Sequence, residues 1–68
     1  MKKGILRAFD AGSYTASVEL LGSRRLFLTG LAVSRGLPDA EMVAGRMVGV
    51  AFFDDSNPAD AVVIAVYA

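Results

Sequence analysis

Cysteine, histidine and tryptophan are all absent from the 68 residues of this chain. The lack of cysteine excludes disulfides, and the lack of both cysteine and histidine excludes the usual zinc and iron sites. Histidine is also the commonest general base and cysteine a common nucleophile, and none of the serines lies in a nucleophile-elbow motif. We therefore expect a protein that is not an enzyme and that carries no metal and no cofactor.

Long apolar runs and an excess of one charge are missing as well. No uninterrupted apolar segment approaches the ~20 residues of a membrane-spanning helix. Seven Lys and Arg balance seven Asp and Glu, which gives no overall attraction to nucleic acid or to an anionic membrane. Arg7 and Asp10 interrupt the segment after the basic start Met1-Lys2-Lys3, so we expect no signal peptide and no membrane partner.

Apolar residues dominate the composition, which is 54% hydrophobic and 21% charged. A chain of this length forms a single domain, residues 1–68, with a small core. Ordering costs about 1.5 kcal/mol per residue, and a core of this size rarely leaves more than roughly 3–5 kcal/mol of net stability. Small folds compensate with disulfides, metals or additional copies, and only additional copies remain here. The composition therefore predicts a homo-oligomer.

Five segments have the length and the β-branched and aromatic content of strands, and one has helix signals. Pro38 suits a first helical position and Gly45 a helix end. The order of these strands and the helix along the chain favours an all-β fold, a small five-stranded OB-like Greek-key barrel with one short helix between strands 3 and 4. An SH3-like barrel, with its helical turn between strands 4 and 5, is the alternative. The predicted strands are 2–9, 14–20, 26–33, 47–53 and 61–67, with the helix at 38–44 and a bulge or corner at Gly30.

The last two predicted strands carry no charged residue on either face. An exposed antiparallel strand normally alternates apolar with polar residues, so we expect both faces of this hairpin to be covered. One face would line the core and the other would contact a second copy. Strict alternation and residue size assign Val48, Val50, Ile64 and Val66 to the core. The same alternation assigns to the oligomer interface Ala51, Phe53, Ala61, Val63, Ala65 and Tyr67.

Two groups of residues are candidate ligand sites, one for a cation and one for a nucleic-acid strand. Asp54, Asp55, Asn57 and Asp60 could hold Ca²⁺ or Mg²⁺, but their spacing is not that of an EF-hand, and Asx residues beside a proline are ordinary turn formers. A basic strip with stacking aromatics could bind a single nucleic-acid strand, as OB folds do, although strand periodicity also explains the aromatics as packing residues. The basic residues of that strip are Arg24-Arg25, Arg7 and Lys2-Lys3, and its aromatics are Tyr14, Phe27, Phe52, Phe53 and Tyr67.

Six segments together form a recognisable pattern: Gly4-Ile5, residues 14–20, Met42-Val43-Ala44-Gly45-Arg46, residues 48–54, the Asn57-Pro58 loop and residues 61–67. In these segments the chain resembles the OB domain of tailed-phage baseplate-assembly and tail-spike proteins. The resemblance implies a virion component that assembles as a ring, often a trimer, located in the virion or the host cytoplasm. A spike continues into a needle domain where this sequence stops, so we expect a capsid-decorating, head–tail or tail-ring role.

We expect one of two functions. The first is a non-enzymatic structural protein that forms a symmetric homo-oligomer, expected to be a trimer, within a phage-like particle together with other virion proteins. The alternative is an OB-fold module that binds single-stranded nucleic acid.

Overall fold

The computed structural model describes residues 1–22, 26–54 and 56–68. Five strands and one short 3-10 helix account for the regular structure of these residues. The strands are β1 (Lys2–Asp10), β2 (Thr15–Leu20), β3 (Leu26–Val33), β4 (Met47–Phe52) and β5 (Ala61–Tyr67), and the 3-10 helix is η1 (Asp39–Glu41).

The strands close into one barrel in the order β1-β2-β3-β5-β4. Antiparallel pairing of β1 with β4 closes the ring, and only β3 and β5 run parallel. The prediction of an all-β, five-stranded barrel with its helical turn between the third and fourth strands is confirmed. Among the described residues, no helix is long and apolar enough to cross a membrane.

The barrel interior is entirely apolar. Alternate residues of each strand point inward, and Met42 from the segment after η1 joins them. None of the described residues is a buried polar or charged side chain. The buried core consists of Leu6, Ala16, Val18, Leu20, Leu31, Val33, Met42, Val48, Val50, Ala61 and Val63.

Strand alternation is interrupted three times by β-bulges. Arg7 is an extra residue in β1 opposite β2, one extra residue lies near Gly30 in β3, and Ile64 is extra in β5 opposite β4. Gly30 has a φ of 68°, which confirms the predicted bulge because glycine adopts this left-handed conformation readily. Each bulge reverses which face the following residues of its strand occupy.

The bulge in β5 corrects the assignment of the last strand. Val50 pairs with Val63, and Gly49 pairs with Ala65, so Ile64 has no direct partner on β4. Val63 is fully buried in the core, whereas Ile64 is 39% exposed. The assignment of Ile64 to the core and of Val63 to a surface is therefore wrong, because strict alternation does not hold across a bulge.

The helical segment is shorter than the sequence predicts. Only Asp39–Glu41 is helical, as a single 3-10 turn, and not residues 38–44. Pro38 supplies no side-chain cap and has extended backbone angles, and the turn ends when Met42 leaves helical geometry and enters the core. Burial of Met42 outweighs further helix formation. Gly45 nevertheless takes the positive φ expected of it, at 99°.

Candidate interaction surface

The outer faces of the barrel differ sharply in polarity. The outward side chains of β2 are polar, with Thr15, Ser17 and Glu19 all half-buried. The outward side of β4 and β5 contains no charged residue, because neither strand has one anywhere along its length. We call this second region the β4–β5 outer face. Its residues are Met47, Gly49, Ala51, Val62, Ile64, Ala65 and Tyr67.

Direct cross-strand pairing builds this face. Ile5 of β1 pairs with Met47, and Met47 pairs with Tyr67, which forms an apolar row across three strands. Below it, Gly49 pairs with Ala65. Gly49 is buried, and Met1 Sδ lies 3.4 Å from the position that a Cβ of Gly49 would take, so Met1 covers the sheet at this pair. The result is an apolar surface on which Tyr67 is 46% exposed.

The residues predicted for the oligomer interface divide into two groups. Ala51 and Ala65 are half-buried, and Phe53 and Tyr67 are exposed. Ala61 and Val63 point into the barrel and are buried by the chain itself, so they are not accessible to a second copy. Ile64, which strict alternation placed in the core, belongs to the accessible surface. The sequence carries no signal for it, because the two predicted strands, 47–53 and 61–67, have the same length.

The five aromatic residues proposed for base stacking are not equivalent. Tyr14 packs edge-on against Phe9 with ring centroids 5.1 Å apart, its hydroxyl donates to the Leu37 carbonyl, and the guanidinium of Arg35 lies 5.1 Å from its ring centroid. Phe52 packs against the core. Phe27 is 57% exposed and Phe53 is 74% exposed. These two rings, with Tyr67, are therefore the aromatics that solvent reaches.

The basic residues do not form a strip on the described surface. Arg7 donates two hydrogen bonds to Glu19 Oε1, at 2.7 and 3.1 Å, which pairs its charge with a carboxylate. Lys2 and Lys3 are exposed at the start of β1. The Arg24-Arg25 pair lies outside the described residues. Glu19 is also the cross-strand partner of exposed Phe27, so a negative charge adjoins the one accessible aromatic on β3.

The loop between β4 and β5 contains ordinary turn hydrogen bonds. Asp54 Oδ1 accepts bonds from the backbone N–H and the hydroxyl of Ser56, and these two bonds hold the pKa of Asp54 below its usual value. Asn57 Oδ1 accepts from the backbone N–H of Ala59. Asp55 of the predicted cation loop lies outside the described residues. Within the part of the chain that is described, no three acidic residues are grouped as metal ligands would be.

A cleft of about 480 Å³ opens at the end of the barrel where β1 begins. Its lining is mainly apolar, with one cation at the rim. The lining residues are Met1, Lys2, Leu20, Leu26, Phe52 and Pro58. The described residues that line it offer no pair of polar groups that could orient a substrate.

Comparison with known proteins gives no relative for this chain. No family model, no curated protein and no solved structure matches it.

Proposed function

We propose that the protein is a non-enzymatic structural component that forms a symmetric homo-oligomer through the β4–β5 outer face. The observation that carries the proposal is that this face is uncharged and apolar on the outside of a barrel that is already closed. Monomeric proteins rarely expose a large contiguous apolar patch, and such patches commonly mark interaction sites. A second copy is the partner that a small core needs most, because association stabilises the folded state by mass action.

A place in a phage-like particle is the more specific part of the proposal. The resemblance to OB-like barrels of tailed-phage baseplate and spike proteins supports it, and so does the strand order, with a helical turn between β3 and β4. In such a particle the barrel would act as a ring, most simply a trimer, that decorates a capsid or joins parts of a tail.

The oligomer is tested by light scattering after size-exclusion chromatography at micromolar concentration. We expect a mass of about three times the 7.1 kDa of one chain. A mass near one chain that does not change with concentration would contradict the proposal.

A matched pair of variants identifies the surface. Ala65→Glu places a charge on the β4–β5 outer face, at the residue that pairs with Gly49. Ser17→Glu places the same charge on the polar face of β2. Only Ala65→Glu should yield monomers, because a charge at an apolar contact loses its hydration without a partner. Equal masses for the two variants would exclude this face.

Binding of single-stranded nucleic acid is the second candidate, favoured by the exposed ring of Phe27 on β3. OB folds use aromatic side chains on this region of the barrel as stacking platforms. Anisotropy of a labelled oligothymidylate at low salt tests it. The structural proposal predicts no binding, whereas binding that weakens with salt and is lost in Phe27→Ala would favour the nucleic-acid module.

A further inference from the structure

The parallel seam between β3 and β5 is the shortest junction of the barrel. Only Ala32–Val62 and Val33–Val63 pair across it, and the Ser34 N–H donates to the Val63 carbonyl beyond them at 2.8 Å. Every other neighbouring pair of strands shares at least four paired positions. The seam therefore joins the C-terminal end of β3 to the N-terminal end of β5, and the other residues of these two strands do not pair across it.

Two half-edges result from this short seam. On β3, Leu26, Phe27 and Leu28 pair with β2 on one side, residues 29–30 form the bulge, and none of residues 26–30 pairs with a described residue on the other side. On β5, residues 64–67 pair with β4 on one side and with no described backbone group on the other. An unpaired strand edge is a template for another strand, and proteins usually protect it with charges, proline or a covering segment. Neither half-edge contains a charged residue or a proline, and the protective feature that each one has is a bulge, at Gly30 in β3 and at Ile64 in β5.

The exposed hydrophobic side chains are concentrated on these two half-edges. Of the seven large hydrophobic residues exposed in the described part of the chain, four belong to them. Leu26 and Phe27 lie on the β3 half-edge, and Ile64 and Tyr67 lie on the β5 half-edge. The β5 half-edge is also continuous with the β4–β5 outer face, since Ile64 and Tyr67 belong to both.

We propose that the free β5 edge at residues 64–67 of one copy pairs with the free β3 edge at residues 26–30 of the next copy. The inference rests on the proposed self-association and specifies its geometry. Strand addition of this kind supplies backbone hydrogen bonds for affinity, and alternate side chains supply specificity. Pairing β5 with a second β5 would leave every β3 half-edge uncovered. Pairing β5 with β3 uses both edges of each copy.

A contact between two different surfaces of the same chain is heterologous, and a heterologous contact forms a ring when its rotation closes. A three-fold rotation gives the trimer of the proposed function, and a two-fold rotation gives a dimer with two reciprocal β3–β5 contacts. In the assembly, the side chains of Phe27 and Ile64 from neighbouring copies lie at the same junction.

Cross-linking tests this directly, because the chain has no cysteine of its own. Phe27→Cys and Ile64→Cys are prepared separately, mixed in equal amounts under denaturing conditions, refolded and treated with a short bis-maleimide. The mixture should form covalent dimers that contain one copy of each variant, while either variant alone should not. Because each variant carries a single cysteine, no cross-link can form within one chain.

Ser17→Cys mixed with Ile64→Cys is the matched control, since β2 is paired on both sides and has no free edge. We expect this mixture to give only background cross-linking. Covalent dimers from Ile64→Cys alone would show β5 against β5 and overturn the proposal. An oligomer of normal mass without the mixed product would overturn the edge pairing but leave self-association standing, whereas a monomeric wild-type protein would overturn both.

Discussion

Gly4 occupies a position in β1 where a side chain has no room. A Cβ built there would lie 2.6 Å from Val18 Cγ1, closer than non-bonded atoms approach, and 3.0 Å from the Glu19 carbonyl oxygen, which is a tight contact. We expect Gly4→Ala to lower the free energy of unfolding by about 1–3 kcal/mol, the usual cost of overpacking.

Gly49 is the matched control for Gly4. A Cβ at Gly49 would lie 3.4 Å from Met1 Sδ and 3.6 Å from Ala65 Cβ, and both are ordinary contacts. Gly49→Ala should change stability by no more than about 1 kcal/mol. Urea unfolding of both variants at one protein concentration compares them, and equal losses would mean that β1 moves away from β2 to accommodate the methyl group.

Val63 and Ile64 are neighbours that should respond oppositely to charge. Val63 is fully buried, so Val63→Asp leaves an unpaired carboxylate in an apolar core and should abolish folding, as Val50→Asp should. Ile64→Asp keeps its carboxylate in water and should preserve the far-ultraviolet circular dichroism of the barrel while reducing its assembled mass. If Val63→Asp were folded and Ile64→Asp unfolded, the bulge in β5 would be misplaced.

At the scale of the strand, bulges separate what the sequence could predict from what it could not. Alternation is correct for β2, where Ala16, Val18 and Leu20 are buried as expected. It fails at the first half of β5, where Ala61 and Val63 are buried and Ile64 is exposed, because the extra residue depends on the geometry of the pair and not on the apolar character of either residue. Gly30 could be predicted as a bulge because its residue type carries the conformational preference; Ile64 has no such signal.

The β3–β5 seam should be the first junction of the barrel to open. Amide hydrogen exchange tests this in the Ile64→Asp variant. Assembly should be reduced in that variant, so contacts with other copies would not slow the exchange of its amides. The Ser34 amide, which bonds across the seam, should exchange faster than the Leu6 amide, which donates to the Arg46 carbonyl at 2.8 Å at the end of the longer β1–β4 junction. Equal protection of the two amides would indicate that the barrel opens only as a whole.

For the whole molecule, stability and assembly should be linked. The core is small, and the proposed contacts add stability only when copies meet. The melting temperature of the wild-type protein should therefore rise with protein concentration, whereas that of Ala65→Glu should not. Scanning calorimetry over a wide concentration range measures both. A wild-type melting temperature that is independent of concentration would contradict the linkage.

The barrel as a whole was predictable from the order of its elements, since five short strands with a helical turn after the third allow few closed arrangements. The polar or apolar character of each outer face was also predictable, because it depends on composition alone. The free half-edges were not. They depend on how far β3 and β5 pair, and both strands have ordinary lengths that suggest a complete junction.

Because Ile64 is an extra residue in β5, the chain could lose this residue and keep its fold. The pairs on both sides of it, Val50 with Val63 and Gly49 with Ala65, are the pairs that a regular ladder would contain if Ile64 were deleted. A one-residue deletion inside a strand normally inverts every later side chain, but this one should keep Val66 opposite Val48 and facing inward. The deletion variant should thus fold with the same core, which the dispersion of its amide NMR spectrum would reveal, and collapse of that dispersion would show that the barrel needs the local twist of the bulge.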